Sequence, residues 1–406
     1  MLLSKLVTAY ELSKGLIMIK RISVSAFKSL VDFELNLDSK FNCIIGLNGA
    51  GKSSVLQLFS YVSALIEGKI DRWLSERGWE EKDVASHFFP TRETFDLVLD
   101  IELSDKQLRW EATYNWKRGL CTSETLTDLA NGQQLLRLYQ GRLKTKRHSL
   151  PDLIFKYSGS ILSALDDSAL PQEAVIFRNF MTNVDSHDLL SPKVMRSGRF
   201  ASAGKIGSAG EYLISYIHNL EKSAQDTLRT NLYGYFPQVV NIDTKTELDG
   251  TLSLLLTERF YNEDGSHTDV VTNAKHINDG MLRILIILAS QRSSSKFQQF
   301  DEVENGVNSE ITEKLVETFI RSPQQVLITT HSPIILNFID EELAKNSVHL
   351  VYKNSQGHTK TTKFFDLDST ARKLEALAPG EAMLDLHLSD VAKEAEKSRI
   401  EGLKKL

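Results

Sequence analysis

Apolar and polar residues alternate in IKRISVSAF at 19–27 and in FELNL at 33–37, a period of two that predicts two strands. FNCII at 41–45 follows as a short apolar run, as a buried strand requires, and leads straight into a glycine-rich stretch. The period then changes. Val55, Leu56, Leu58, Phe59, Val62, Leu65 and Ile66 recur at helical spacing, so residues 53–66 read as an amphipathic helix starting inside the glycine stretch. Alternation returns in FDLVLDIEL (95–103) and LRWEATYNW (108–116), which predicts an antiparallel sheet after that helix.

The pattern is weaker from 121 to 210. This span holds a basic cluster of Arg137, Arg142, Lys144, Lys146, Arg147 and His148, and a Gly/Ser/Ala-rich stretch at 197–210 that reads as loop. A helix is expected at 210–232 and strands at 239–242 and 252–260, with a turn at 262–265. From 278 onward helix (281–289), strand (into Asp301), helix (309–321), strand (325–329), helix (333–338) and strand (348–352) alternate as in a parallel sheet. Residues beyond 369 are charged and mostly helical in pattern.

Composition removes several classes. The longest apolar run, 281–289, is interrupted by Arg283 and falls short of the ~20 residues a membrane span needs. Lys5, Glu11 and Lys14 interrupt the apolar start, so 1–17 read as an extension rather than a signal peptide. Cys43 and Cys121 form no Cys-x-x-Cys pair, which argues against a disulfide framework or a cysteine zinc site and for the cytoplasm. A net charge of −5 argues against a uniformly basic coat for nucleic acid but permits a local patch.

Three segments carry chemistry. Residues 46–53, GLNGAGKS, fit the phosphate-loop pattern, in which glycines let backbone N–H groups approach phosphates. Asn48, Gly49, Ala50, Gly51, Lys52, Ser53 and Ser54 would line the nucleotide; Lys52 would reach the β- and γ-phosphates and Ser53 would ligate Mg²⁺. In FQQFDE (297–302), Asp301 would hold the Mg²⁺ and Glu302 would polarise the attacking water. Gln298 and Gln299 are polar where such a strand is normally aliphatic, so either the strand is less buried than usual or the role of Asp301 is in question. In VLITTHSP (326–333), His331 ends a buried strand, where it can donate to a γ-phosphate or position water.

With INDGMLR at 277–283, these segments resemble the RecF/SMC-like ABC ATPases, and most closely the compact bacterial AAA family ATPases related to the OLD-type domain, without a long coiled coil. The resemblance spans 18–365 and also rests on IKRISVSAFKSL, LLSPKVMR (189–196), IGSAGEYL (206–213), FDEVENGVNSE and ITTHSPIIL. It implies an α/β P-loop NTPase of ABC type, with a mixed central sheet, an added antiparallel sheet and a helical insertion. The expected division is an extension at 1–17, head halves at 18–120 and 236–368, a mostly helical insertion at 121–235 and a charged helical tail at 369–406. ATP and Mg²⁺ are the implied cofactors, and Lys52, Glu302 and His331 the implied catalytic residues. Asn278 and Gly280 match a signature that touches the partner's nucleotide in trans, Lys28 a basic position near the nucleotide, and Glu304 with Asn305 a segment facing the partner subunit. A homodimer or higher homo-oligomer follows, with an effector protein such as a nuclease encoded nearby, in repair or anti-phage defence; the basic cluster reads first as a solvated loop, the usual role of a surface charge run, and second as a contact to DNA phosphates. The alternatives are a transporter subunit, disfavoured by the lack of an LSGGQ-type signature, and an ATP-binding scaffold with little turnover.

Overall fold

Strand pairing begins with β1 (Ile17–Phe27), β2 (Leu30–Asn36) and β3 (Phe41–Ile45), in a computed structural model that describes residues 17–103, 106–139, 141–145, 149–150, 157–198 and 204–405. Most of the expected N-terminal extension, and Lys146, Arg147 and His148 of the basic cluster, lie outside the described residues. An antiparallel meander follows: β4 (Thr94–Leu103), β5 (Lys106–Asn115), β6 (Leu120–Asp128), β7 (Gln133–Tyr139), β8 (Arg142–Thr145) and β9 (Ser149–Leu150). After β10 (Val184–His187), a separate three-stranded sheet contains β11 (Val239–Thr246), β12 (Leu252–Tyr261) and β13 (His267–Asn273). The last strands are β14 (Phe297–Phe300), β15 (Gln325–Thr329), β16 (Val348–Lys353) and β17 (Thr359–Lys363).

Among the described residues one sheet runs β10-β14-β15-β3-β16-β17-β2-β1-β4-β5-β6-β7-β8-β9. Its first five strands are parallel, and this is the half that positions the site. Successive side chains of β3 point to opposite faces: Ile44 joins one apolar cluster with helices Lys52–Glu67 and Gln172–Thr182, while Cys43 and Ile45 join another with helices Asp279–Ser290 and Ser309–Ile320. Helices on both faces bury β3 and β15 completely, which is why FNCII and QVLIT read as unbroken apolar or neutral runs.

Gln298 and Gln299 do not loosen β14, which is as buried as its neighbours. The Gln298 amide donates to the Ser290 carbonyl at 2.5 Å, and that of Gln299 donates to the Leu56 carbonyl at 2.8 Å and Ser186 Oγ at 2.7 Å. Each glutamine thus ties the strand to a helix that covers it, and these hydrogen bonds offset the cost of burying the amide NH₂ groups, while Gln299 Oε1 is buried without a hydrogen-bond partner among the described residues.

Two expectations need correction. The span 121–235, expected to be mostly helical, opens with β6 to β9, because Leu136, Leu138 and Leu143 alternate inward against outward charges and continue the meander. The single helix expected at 210–232 is two, Leu213–Asn219 and Lys222–Tyr235, broken where Leu220 and Glu221 adopt extended backbone.

Candidate functional site

Strand β3 delivers the chain into the loop 46–51, and Gly51, at φ 111°, starts the helix Lys52–Glu67 from a left-handed conformation. A Cβ there would come within 2.5 Å of Thr359 Oγ1, so only glycine fits. Thr359 in turn donates to the Ala50 carbonyl at 2.9 Å and shares a 2.9 Å hydrogen bond with Ser29 Oγ. Asn48 and Gly49 are exposed at the loop tip, Ala50 is buried, and Ser54 is partly buried in the first helical turn. The free N–H groups of that turn make it a natural anion site. Lys52 Nζ donates to the carbonyls of Gly46 (2.9 Å) and Leu47 (3.3 Å). Burial lowers its pKa, while the carboxylates of Glu302, Asp301 and Glu304 oppose that shift.

Asp301 closes the site from the end of β14, with β15 lying between that strand and β3. Its Oδ2 accepts from Ser53 Oγ at 2.7 Å and its Oδ1 accepts from Thr329 Oγ1. Burial raises its pKa, and the two hydroxyl donors pull it back. A hydroxyl beside a carboxylate is a hard-oxygen pair suited to Mg²⁺, which takes few protein ligands and completes its shell with water and phosphate. Among the described residues there is no group of three or more His, Cys, Asp or Glu that could hold a metal.

Glu302 sits at φ 48°, a conformation that costs a non-glycine residue roughly 1–3 kcal/mol and persists only when its surroundings impose it. Thr329 Oγ1 accepts the Glu302 N–H at 2.9 Å, and Arg283 Nη1 donates to the carbonyls of Asp301 (3.2 Å) and Glu302 (3.1 Å). Asn305 Nδ2 donates to Glu302 Oε2 at 2.5 Å. His331 is half exposed at the end of β15; its Nδ1 lies 2.8 Å from Glu304 Oε1, which also accepts the His331 backbone N–H at 2.7 Å.

Asn278 and Gly280, expected to act in trans, also have work within their own chain. Asn278 caps the helix Asp279–Ser290, its Oδ1 accepting the Met281 N–H at 2.8 Å. A Cβ on Gly280 would lie 2.0 Å from the Gly306 carbonyl oxygen, so glycine permits a close backbone approach there. Lys28 lies against the phosphate-loop helix rather than on the loop: Nζ donates to Gln57 Oε1 at 2.8 Å and sits 4.1 Å from the Trp79 ring centre. Burial, reinforced by Arg77, pushes its pKa down to about 8. Sequence reasoning missed Thr329, Thr359 and the grip of Arg283. A buried threonine beside two carboxylates carries no local signal, and Thr359 reaches the loop only through the sheet order.

No curated protein matches the chain in sequence. Among solved structures it is similar to the SmcHead bound to the C-winged helix domain of ScpA, at a TM-score of 0.50 and 13% identity over 85% of this chain and 96% of that one. It is likewise similar to the Smc head domain with an extended coiled coil bound to the C-terminal domain of ScpA from Pyrococcus furiosus, at a TM-score of 0.50 and 11% identity over 86% and 96%. At such identities the likeness is one of fold, that of an SMC-head, ABC-type P-loop NTPase. The described residues contain no helix long and apolar enough to cross a membrane. The family model described as "AAA domain, putative AbiEii toxin, Type IV TA system" matches residues 41–337, from β3 through the phosphate loop, both carboxylates and His331. Well over half of the chain being matched, this protein belongs to that AAA-domain family.

Proposed function

We propose that this protein binds ATP with Mg²⁺ on the phosphate loop and hydrolyses it at a site completed by a second copy of the chain. The observation that carries this reading is the 2.7 Å contact of Ser53 with Asp301, beside buried Lys52 and the strained Glu302 turn. Mg²⁺, held by Ser53 and Asp301, would neutralise charge on the β- and γ-phosphates. Lys52 exchanges its loop carbonyls for phosphate oxygens, Glu302 orients and polarises the attacking water, and His331 faces the γ-phosphate.

A second copy enters through the exposed Asn278 and Asp279, because the helix behind them is tied to the Glu302 turn by Arg283 and by the Gly280–Gly306 approach. Contact at that helix end therefore reaches the water-activating carboxylate. The cycle in turn controls a partner effector, in DNA repair or anti-phage defence. DNA is a direct partner in this reading: Arg137, Tyr139, Arg142 and Lys144 share one exposed face of β7 and β8, with Arg137 directly opposite Lys144. Cations gathered on one exposed face supply the sequence-independent contacts to phosphates that DNA binding needs.

The test is ATP turnover and nucleotide binding by purified protein. Lys52→Ala should lose ATP affinity, whereas Glu302→Gln should retain binding and lose turnover. Glu302→Gln protein that turns over ATP at the full rate rejects the assignment. A sedimentation profile of that variant unchanged by ATP rejects the second copy.

A further inference from the structure

Glu304 has a function that the carboxylates before it do not cover. One of its oxygens, Oε1, accepts the backbone N–H of His331 at 2.7 Å and lies 2.8 Å from His331 Nδ1, within ion-pair distance. The carboxylate is 14% exposed and the imidazole 50% exposed, so a largely buried carboxylate holds a ring that reaches solvent. The other oxygen, Oε2, is buried without a hydrogen-bond partner among the described residues. A buried anionic oxygen left unpaired is costly, and folding alone does not account for a glutamate there.

We infer that Glu304 is a positioning residue that fixes the orientation and tautomer of His331 for the reaction on ATP; this rests on the ATPase reading above. A backbone hydrogen bond and a close Nδ1 contact, both to one oxygen, hold the backbone and the ring of His331 together. With Nδ1–H turned to the carboxylate, Nε2 of the neutral ring carries the lone pair. Glu304 thereby presents Nε2 in a single direction, as an acceptor to water or, protonated, as a donor to phosphate oxygen. Glu302 is engaged elsewhere in the turn, its Oε2 accepting from Asn305 Nδ2 at 2.5 Å. The turn 301–306 thus serves three groups in sequence: Asp301 meets Ser53, Glu302 faces the water, and Glu304 aims the histidine.

Two measurements on the full-length protein test the inference. In ¹⁵N-resolved spectra of the histidine side chains, His331 is identified by the signals missing from His331→Ala. The wild type should show His331 as the Nδ1–H tautomer, and Glu304→Ala should lose that preference. In steady-state turnover, Glu304→Ala should lower kcat by about tenfold or more with KM changed less than about twofold, and Glu304→Gln, which keeps an acceptor, should fall between. In a His331→Ala background the Glu304 substitutions should have no further effect, because the two residues act as one unit. Equal losses in both backgrounds, or an unchanged tautomer in Glu304→Ala, overturn the proposal. If Glu304→Ala does not fold, Glu304→Gln decides the cycle: a kcat equal to wild type in the His331 background also overturns it. A wild type that binds but never hydrolyses ATP sinks the ATPase reading instead, while the tautomer measurement still judges Glu304.

Discussion

Ser53 Oγ and Asp301 Oδ2 stand 2.7 Å apart although 248 residues separate them in the chain. The contact exists because β3 and β14 flank β15 in parallel, so their C-terminal ends open at the same edge of the sheet. In open parallel sheets that edge is where ligands bind.

Removing the hydroxyl should therefore affect the metal before the nucleotide. Ser53→Ala is expected to raise the Mg²⁺ concentration for half-maximal ATP turnover by about tenfold or more. Binding of ATP measured in EDTA should change little. Identical Mg²⁺ titrations of variant and wild type would remove Ser53 from the metal site.

Arg283 should behave as part of the Glu302 turn. Its guanidinium clamps the carbonyls of residues 301 and 302, and burial lowers its pKa while the nearby carboxylates of Glu302, Glu304 and Asp301 oppose that. Arg283→Met should free the strained turn and cut kcat by about one to two orders of magnitude, with ATP affinity nearly intact. Turnover equal to wild type would show that the clamp is dispensable.

Gly280 needs a test that separates packing from contact in trans. Because a Cβ would meet the Gly306 carbonyl at 2.0 Å, Gly280→Ala should destabilise the monomer by about 1–3 kcal/mol, read as a lowered melting temperature. Loss of activity at this position therefore does not by itself report a partner. Asn278→Ala, which removes an N-cap worth about 1 kcal/mol, is the gentler probe of the exposed helix end. An unshifted melting temperature in Gly280→Ala would contradict the observed approach.

Glu124 gives a pH dependence remote from the site. It is fully buried on β6 and accepts from Ser160 Oγ (3.1 Å) and the Ile161 N–H (2.9 Å), and burial pushes its pKa from 4.5 up to about 7. A folded-state pKa above the unfolded value means the native protein holds the extra proton, so this group lowers stability as pH rises through that interval. The full cost, on the order of 3 kcal/mol, is present above pH 7 and absent below the unfolded value. Glu124→Gln should melt higher than wild type at pH 8 and equally at pH 4; an unchanged difference across that range would refute the assignment.

The β7–β8 face makes a separate prediction about DNA. Changing Arg137, Arg142 and Lys144 together to Ala should weaken binding to any duplex and flatten the salt dependence by about 0.9 log units for each phosphate that is no longer neutralised. ATP turnover without DNA should remain near wild type. Unchanged affinity and slope would exclude this face as the DNA surface.

The sequence by itself determined the local elements and the chemical parts. Period-two and helical spacing placed β1, β2, β3 and the helix Lys52–Glu67, because such patterns arise from neighbours within one element. Lys52, Ser53, Asp301, Glu302 and His331 stood out because each sits in a short motif whose residue types suit phosphate, metal or water. Tertiary structure alone decided which parts meet. Sheet order brought Thr359 and Ser29 to the phosphate loop, the packing of the helix Asp279–Ser290 set Arg283 on the Glu302 turn, and the turn 301–306 gave His331 to Glu304. It also resolved the glutamines of β14, which looked out of place in a buried strand until the covering helices supplied carbonyls for their amides. Such pairings depend on long-range strand order and on single hydrogen bonds, neither of which leaves a periodic trace along the chain.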